Sequence, residues 1–472
     1  MLLRIASKEL CEISRDLHTV CVLVIFISIL SWSCIAYSVD WSRQFALQSA
    51  LQNQAREAWL TQETDSPHEA THQGTTVYKL PSPLASFDPG VAPELGSAVK
   101  IESHRRHEAN HSTNENQISL LQLDMTSPAL LMQAVLPLVV ILLSHAMASR
   151  ERELGTWRLL ASFGVSHQRL VLGKLVALFL LTILLTAPVL VALLWCVVRS
   201  PAEMDVSLEE ISSRGAAVYA ANLLYLAAWC AAGTALSARF SSGVTLIVLL
   251  TCWAGWTLVI PRLAVDLAYS RYPLPSEQSL LEIREAAIRQ GSDGQVSLDE
   301  FNAELEKKLL VDYAVTDLED LPVDLNVARL LAMEEFTDAI DDNIQQQLDE
   351  IYQQQNRFLD RFEFVSPYLA MRSVSSSFAG TDRHHHKAFV ASTEAYRRLL
   401  VKTMNTAEMK GERPGATAQS AYDFWSNVPE FRPGFPPMAK VVYAMRWPIG
   451  LLTLWFALML VFALIPTRRT LA

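Results

Sequence analysis

The chain has 472 residues, of which 51% are hydrophobic and only 19% are charged, and its formal net charge is −10. Soluble proteins carry about a quarter charged residues, so this composition argues against a purely soluble protein. The acidic balance also argues against a broad nucleic-acid-binding surface, which needs clustered lysine and arginine, and we expect no nucleic-acid partner.

Six apolar stretches dominate the sequence, each about 20 residues long, which is the length that an α-helix needs to cross the hydrocarbon core of a membrane. We predict an all-α membrane protein with six transmembrane helices, at residues 17–38, 129–148, 170–198, 215–237, 243–260 and 441–465. No small-x-small cleavage site follows the first stretch, so we expect an uncleaved anchor rather than a signal peptide.

Basic residues close to the spans predict the side of the membrane on which each connection lies. Arg4, Arg150, Arg239 and Arg468 represent four basic regions, which share one side if there are six spans. The positive-inside rule makes that side the cytoplasm, so both termini are expected there. We therefore expect cytoplasmic segments at 1–16, 149–169 and 466–472, and extracytoplasmic segments at 39–128, 199–214 and 261–440.

The two long extracytoplasmic segments predict one mostly helical domain built from two insertions. In the first insertion, the helix of the first span is expected to continue to Leu60, and Thr75–Leu80 is a candidate short strand. In the second, Ser297 and Glu300 have the spacing of a capping box, and a long helix is expected at about residues 326–362. Its apolar line is either the core face of the domain or a docking face for a partner or a second copy.

A basic, helix-forming segment connects the second and third spans. Its apolar residues recur at three- and four-residue spacing, at Leu154, Trp157, Leu160 and Ala161, and Gly164 is expected to break the helix. An amphipathic helix at the cytoplasmic surface either lies in the membrane interface or binds a soluble partner and carries that partner's movement to the spans.

The order of residues in this segment is Glu151-Arg152-Glu153-Leu154-Gly155-Thr156, then Leu159-Leu160, Val165-Ser166 and finally Gly173-Lys174. This pattern resembles the cytoplasmic loop of ABC-2-type transporter permeases. A small departure is His167, which follows the serine where those permeases often have arginine. The N-terminal segment, Leu2–Arg15, is similar to the amphipathic elbow helix that precedes the first span in the same permeases.

The resemblance implies that this chain is one half of a type V-like ABC exporter, with a coupling helix at 149–169 that docks on a separate ATPase. Asp65–Val91, Ser366–Asp382 and Ala388–Asn405 are similar to a less characterised subgroup with two large extracytoplasmic insertions. Members of that subgroup often occur as paired permeases beside one ATPase. The implied location is the bacterial inner membrane, with a multi-pass topology.

The resemblance also implies the partners of the chain. They are an ABC ATPase subunit in two copies, a second permease copy or a paralogue, membrane lipids and, as a further candidate, a periplasmic protein. A phosphate-binding loop has the form GxxxxGK[ST], and the nearest match, between Gly164 and Leu175, has the wrong spacing and ends in leucine. We therefore expect no ATP hydrolysis and no cofactor in this chain, with ATP and Mg²⁺ bound on the partner ATPase.

The implied function is that of the permease subunit of an ATP-binding-cassette transporter, an exporter that couples ATP hydrolysis on the ATPase to substrate movement. The alternative is an ABC-type mechanotransmitter or assembly factor, which acts on a periplasmic partner without transport. ATP-dependent transport by the purified complex separates the two hypotheses, and the sequence does not name a substrate.

Candidate site residues fall into two groups, and none of them is predicted to be catalytic. The residues expected to dock the ATPase are Glu151, Glu153, Gly155, Thr156, Trp157 and Leu160, with Trp157 and Leu160 as the apolar contacts. Polar and aromatic side chains inside the spans are candidates for a substrate path: Tyr219, Asn222, Tyr225, Thr251 and Trp253. Groups of this kind more often form hydrogen bonds between helices, and that alternative stays open.

Histidines recur in the predicted extracytoplasmic segments. His68 and His72 are four residues apart, and further groups are His104, His107 and His111 and the run His384–His386. Adjacent positions on a helix do not face one way, and no cysteine lies near any of these groups, so we expect surface residues and no metal site. No G-x-S-x-G elbow occurs, so an extracytoplasmic hydrolase is not expected either.

Overall fold

The structure is a computed structural model, and it describes residues 1–107, 126–199, 206–291, 296–322 and 325–466. His111, Arg468 and most of the predicted tail, together with parts of the predicted insertions and outer loop, lie outside the described residues. The described helices up to the third predicted span are α1 Leu2–Arg15, α2 Leu17–Leu60, α3 Pro67–Gln73, α4 Pro128–Leu130, α5 Leu136–Ser144, α6 Ser149–Glu153, α7 Thr156–Ser162 and α8 His167–Leu185.

The helices that follow carry the rest of the membrane region and the second insertion. They are α9 Ala187–Val198, α10 Leu208–Ser237, α11 Ser242–Ala254, α12 Ile260–Arg271, α13 Glu277–Gln290, α14 Leu298–Asp312, α15 Leu325–Phe362, α16 Pro367–Ala379, α17 Arg383–Met409, α18 Ala418–Trp425 and α19 Met438–Leu464. Two short strands, β1 Thr75–Tyr78 and β2 Ala98–Ile101, and π-helical turns at Leu131–Val135 and Gly255–Val259 accompany these helices.

Six helical stretches in the described chain are long and apolar enough to cross a membrane, which confirms the predicted all-α membrane class. They are Leu17–Leu60, Pro128–Glu153, His167–Leu185, Leu208–Ser237, Ser242–Arg271 and Met438–Leu464. The residues expected to form the third span are divided at Thr186, where α8 ends and α9 begins with Pro188 in its first turn. Proline lacks the backbone N–H that would continue the helix, which explains the division.

Helix α10 lies at the centre of the membrane region and packs against α5, α8, α16 and α19. Its sequence is rich in alanine, and small residues let neighbouring helix backbones approach closely. At Gly233, an added Cβ would overlap the side chain of Ser144 on α5, so glycine is required for this contact. The buried side chains of these helices form the largest apolar core of the molecule.

The two predicted insertions contribute to a second apolar core. Strands β1 and β2 pair in antiparallel fashion, with Thr75 opposite Ile101, and β1 forms most of the strand predicted at residues 75–80. As predicted, α2 continues unbroken to Leu60. At its end the buried Trp59 donates a hydrogen bond of 3.1 Å to the carbonyl of Trp425, which lies more than 360 residues later in the chain.

The second insertion is helical, and its predicted long helix is α15. The capping box of Ser297 and Glu300 is present at the start of α14, and Phe336 and Ile340 of α15 are buried in a small core with α13 and α14. The apolar line of α15 therefore serves, at least in these positions, as a core face. Helix α16 also belongs to the second insertion, but it packs against α10 and α19. The second insertion therefore contributes to the apolar core of the membrane region as well.

Candidate functional site

The segment between the second and third candidate spans is two short helices separated by a glycine turn. Helix α6 ends at Glu153, Gly155 has a φ of 77°, and α7 begins at Thr156. A φ of this sign is costly for residues with a Cβ, and no atom lies within 4 Å of the position where one would stand, so backbone conformation alone explains the glycine. A second such turn at Gly164, with a φ of 79°, ends the segment before α8.

Glu151 lies in a buried cluster of charges. Its Oε1 is 2.5 Å from Nζ of Lys8 on α1, and its Oε2 is 3.0 Å from Nζ of Lys174 on α8. Lys174 also pairs with Glu9 of α1 at 2.7 Å and donates a bond to the carbonyl of Met147, and its side chain is only 1% exposed. Charges this deeply buried need partners, and here two lysines face two carboxylates.

The adjacent Gly173 brings α1 and α8 together. A Cβ at this position would overlap the side chain of Ile5, so only glycine permits the observed distance between the two helices. The Gly173-Lys174 pair therefore holds α1, the predicted elbow helix, by close packing at one residue and by an ion pair at the next.

Glu153 and Arg152 connect the segment to the turn between α10 and α11. Glu153 accepts a hydrogen bond of 3.2 Å from the backbone N–H of Ser242, in the first turn of α11. The N-cap residue of that helix makes no side-chain cap of its own, so the carboxylate takes the place of a cap. Arg152 donates hydrogen bonds to the carbonyls of Arg239 and Phe240 in the same turn.

Thr156 is exposed, whereas Trp157 faces the interior of the protein. The Thr156 hydroxyl donates a 3.0 Å bond to the carbonyl of Glu151, which closes the glycine turn. The indole of Trp157 is only 2% exposed and packs beside His167 and the apolar side chain of Leu170. Of the two apolar contacts expected for the ATPase, Trp157 is therefore turned inward, and Leu160 is half-buried against the same core.

The exposed apolar side chains of the segment are different ones. Leu154, Leu159 and Phe163 are 69%, 57% and 76% exposed, and we call these three residues the exposed patch. The sequence pattern missed Leu159 and Phe163 because it treated residues 154–161 as one continuous helix. The left-handed turn at Gly155 rotates α7 relative to α6, and the glycine itself was the signal that the helical phase changes there.

The candidate substrate-path residues are only partly brought together. The Tyr225 hydroxyl donates a 3.0 Å bond to the carbonyl of Gln133, and the Trp253 indole donates a 2.8 Å bond to the carbonyl of Ala134. Both carbonyls belong to the π-helical turn at Leu131–Val135, where the ordinary helical hydrogen bonds are interrupted. These two residues therefore act between helices, which is the alternative that the sequence left open.

The remaining path residues differ in their surroundings. Tyr219 forms a 2.9 Å hydrogen bond with the hydroxyl of Thr186, and Thr251 lies on the exposed surface of its helix. Asn222 is fully buried, and its side-chain oxygen has no hydrogen-bond partner in the part of the chain that the structure describes. The same holds for both side-chain polar atoms of Gln133, a residue that the sequence pattern did not single out.

The fold is that of a multi-pass α-helical membrane protein. The short helix α6, between the second and third spans, contacts both α8 and α11. Comparison with known families gives the class of the protein. Residues 105–259 match the model described as ABC-2 family transporter protein, and residues 280–434 match a domain of unknown function, DUF3526. No curated protein and no solved structure matches the chain.

The match at residues 105–259 supports an ABC-2-type permease, which is the family that the pattern between the second and third spans predicted. The matched range contains four of the candidate spans in whole or part and the entire segment between the second and third of them. This family supports a permease of an ABC transporter, a class whose membrane domains are typically non-catalytic, and it implies association with an ABC ATPase subunit. The place of the chain in a subgroup with two insertions stays a prediction.

Proposed function

We propose that this permease is the membrane subunit of an exporter, and that it couples ATP hydrolysis on a separate ATPase to the movement of a substrate across the bacterial inner membrane. The observation that carries the proposal is the set of contacts made by α6. Through Glu151 this helix is bound to α1 and α8, and through Glu153 and Arg152 it is bound to the start of α11. A displacement of α6 therefore also displaces α1, α8 and the start of α11.

The mechanical step follows from these contacts. ATP binding draws two ATPase subunits together, and each carries the segment docked on it. Because a buried ion pair resists separation, α8 moves with α6 rather than slides past it, and the hydrogen bonds of Glu153 and Arg152 carry the movement to the start of α11. The permeases then rock between inward-open and outward-open arrangements whose populations depend on bound nucleotide. ATP and Mg²⁺ belong to the partner ATPase in this scheme, and two ATPase copies serve this chain and a second permease copy or a paralogue.

The surface of the segment supports a contact that differs in detail from the sequence prediction. We assign the ATPase contact to the exposed patch of Leu154, Leu159 and Phe163, because these side chains are accessible to a partner. Trp157 is buried, and we assign it a supporting role within the permease. The other predicted docking residues fix the conformation of the segment: Glu151, Glu153 and Thr156 by contacts within the chain, and Gly155 by its positive φ. Arg150 and Arg158 of the same segment are exposed as well, so basic side chains accompany the apolar patch on this segment.

The docking assignment is tested by charge substitution in the exposed patch. Leu154→Asp with Phe163→Asp is expected to abolish co-purification of the ATPase, because apolar contacts with the ATPase would be replaced by solvated charges. Val311→Asp is the matched control, since Val311 is 77% exposed in the second insertion. Trp157→Ala is a second control, expected to lower the thermal stability of the permease itself. Wild-type retention of the ATPase by the double variant refutes the assignment.

The exporter assignment is tested by transport. Inverted membrane vesicles that contain the complex are incubated with cell extract and ATP or a non-hydrolysable analogue, and the solutes inside are compared by mass spectrometry. We expect at least one solute class to accumulate only with ATP, and not with the Leu154→Asp, Phe163→Asp variant. Hydrolysis of ATP without accumulation of any solute contradicts the exporter and favours the mechanotransmitter.

The buried amides of Gln133 and Asn222 extend the proposal to the substrate path. Both side chains are fully buried in the membrane region and have polar atoms without partners in the described chain. Unpartnered buried amides are costly, which favours a role in contacting polar groups of a substrate. Asn222→Leu is expected to reduce ATP-dependent accumulation while the ATPase stays bound, whereas Thr251→Val, on an exposed helix surface, leaves both unchanged. Unaltered accumulation by Asn222→Leu rules out this path.

A further inference from the structure

Three histidines of the first insertion lie together although they are distant in sequence. His68 and His72 belong to α3, directly before β1, and His104 directly follows β2. Because β1 and β2 are antiparallel with Thr75 opposite Ile101, the residues before one strand and after the other meet at the same end. One ligand nitrogen from each ring lies within 4.8 Å of the others, and the Nε2 atoms of His68 and His72 are 3.0 Å apart.

Each of the three rings has a polar partner at its Nδ1. His68 Nδ1 is 2.9 Å from the side-chain oxygen of Asn405, and His72 Nδ1 is 3.2 Å from the hydroxyl of Ser103. His104 Nδ1 pairs with the carboxylate of Glu334. Metal-binding histidines almost always use their second nitrogen in this way, because the outer contact fixes the ring and its tautomer. All three contacts leave Nε2 for a shared ligand.

The backbone at His104 is also held in an unusual conformation. Its φ is 62°, in the left-handed region that residues other than glycine seldom occupy. The N–H of His104 donates a 2.9 Å bond to the same Glu334 carboxylate that pairs with its ring. Backbone conformations of this kind persist only where the surroundings enforce them, and they concentrate at functional sites.

We propose that His68, His72 and His104 form a binding site for a divalent transition metal of the Zn²⁺ type. Zinc–imidazole bonds of about 2.0–2.1 Å place the ligand nitrogens of a tetrahedral site about 3.3 Å apart, close to the observed 3.0 Å between the first two rings. Three imidazoles leave the fourth position of such a site open to water or another ligand. Ca²⁺ and Mg²⁺ are excluded as preferred ions because they favour oxygen ligands.

The three histidines lie where the first insertion contacts the second, so a bound metal would affect the junction between the two insertions. Glu334 belongs to α15 and Asn405 to α17, so the outer contacts of three first-insertion histidines come partly from the second insertion. A bound metal would orient all three rings and thereby strengthen the junction between the two insertions. This inference is independent of transport, since it concerns the extracytoplasmic body alone.

The test measures metal binding by the full-length permease, purified with a tag that contains no histidine and stripped with a chelator. Equilibrium dialysis with Zn²⁺ is expected to give one tightly bound equivalent, and Co²⁺ is expected to give the visible absorption of a tetrahedral site. His72→Ala removes one of three ligands and is expected to weaken Zn²⁺ binding by at least about 100-fold. Zn²⁺ is also expected to raise the melting temperature of the wild type but not of this variant.

The control variant is His384→Ala, which removes an exposed histidine of the His384–His386 run and is expected to bind Zn²⁺ like the wild type. His72→Gln is a second ligand variant that keeps a polar side chain at an exposed position, so that a folding defect in His72→Ala does not decide the outcome. Substoichiometric Zn²⁺ on the wild type, or wild-type affinity in His72→Gln, overturns the proposal.

Discussion

At the scale of single residues, the two carboxylates of the motif between the second and third spans contact other parts of the same chain. Glu151 faces Lys8 and Lys174, and Glu153 faces the first turn of α11. A carboxylate that accepts bonds from a helix N-terminus is stabilised both by the N–H groups and by the helix dipole. These two positions of the motif thus have partners within this chain.

Lys174 is the residue on which this cluster depends most. Lys174→Met leaves the buried Glu9 carboxylate with only the more distant Lys8, at 3.5 Å, and breaking a buried ion pair from one side costs about 3–5 kcal/mol. We expect a clear fall in the melting temperature of the detergent-solubilised permease. Lys8→Ala, at a side chain that is 46% exposed, is expected to cost no more than about 1 kcal/mol.

The double variant Glu9→Gln, Lys174→Met supplies the decisive comparison. It removes the buried carboxylate that has lost its nearer cation, while Glu151 keeps its contact with Lys8, so part of the lost stability is expected to return. Equal melting temperatures for Lys174→Met and Lys8→Ala would show that the buried lysine contributes no more than the exposed one, contrary to this expectation.

We expect the free energy of unfolding to depend on pH through Glu363, which lies between α15 and α16 and outside the candidate spans. Burial raises the pKa of this carboxyl to about 7, despite a hydrogen bond from Ser373, and the neighbouring Asp360 adds to the rise. A raised pKa means that the folded state holds the proton more tightly than the unfolded state. The contribution to stability is therefore complete below about pH 4.5 and is lost as the pH rises through 7.

The measurement compares melting temperatures between pH 5 and pH 8. We expect the wild type to lose stability over this range, by up to about 3 kcal/mol from this group. Glu363→Gln, which has no proton to lose, is expected to lose less. Parallel melting curves for the two proteins across the range exclude Glu363 as the source of the dependence.

At the scale of elements, the angle between α6 and α7 is set by one glycine. Gly155→Ala places a Cβ at a φ of 77°, a conformation that costs about 1 kcal/mol or more for such residues but meets no neighbouring atom. We expect weaker stimulation of the ATPase by the permease, with Gly155→Asn less affected because asparagine tolerates the left-handed region. Equal activity of Gly155→Val and wild type shows that the turn is not needed.

Which elements the sequence could predict depends on the range of the interactions that form them. The six spans, the continuation of α2 and the capped α14 follow from local hydropathy, periodicity and capping, and the structure has all of them. The inward turn of Trp157 was not predicted, because it depends on how α7 packs against α8. The contacts of Lys174 were likewise hidden, because Glu9 and Glu151 approach it from two other helices.

The histidine cluster shows the same limit. His68 and His72 have helical spacing, but His104 joins them only through the pairing of β1 with β2, and single-residue patterns carry no information about that pairing. Two of the three outer contacts come from Glu334 and Asn405, which are more than 200 residues further along the chain. Local spacing therefore indicated only surface residues, because the rest of the cluster depends on distant parts of the chain.

At the scale of the whole molecule, one long helix joins the apolar core of the candidate spans to the core formed by the two insertions. Helix α2 has 44 residues, which corresponds to a length of about 66 Å, and no break interrupts it. Its first part lies in the membrane core at Phe26 and Leu30, and its end is fixed by Trp59 against Trp425. A rotation of the first span is thus transmitted to the body formed by both insertions, whichever function the movement serves.

The orientation of the chain in the membrane decides which end of α2 faces the ATPase. We expect the segment between the second and third spans to lie in the cytoplasm and the second insertion to lie on the opposite side. Phe163 and Val311 are almost equally exposed, at 76% and 77%, and lie in the segment between the second and third spans and in the second insertion. In a chain whose exposed Cys11 and Cys21 are replaced by serine, Val311→Cys is expected to react with a membrane-impermeant maleimide in spheroplasts, in which the outer membrane no longer shields the inner one. Phe163→Cys is expected to react only after the membrane is permeabilised. Because the exposures match, a difference in labelling reports the side of the membrane, and labelling of Phe163→Cys in intact spheroplasts would place the exposed patch beyond the reach of any cytoplasmic ATPase.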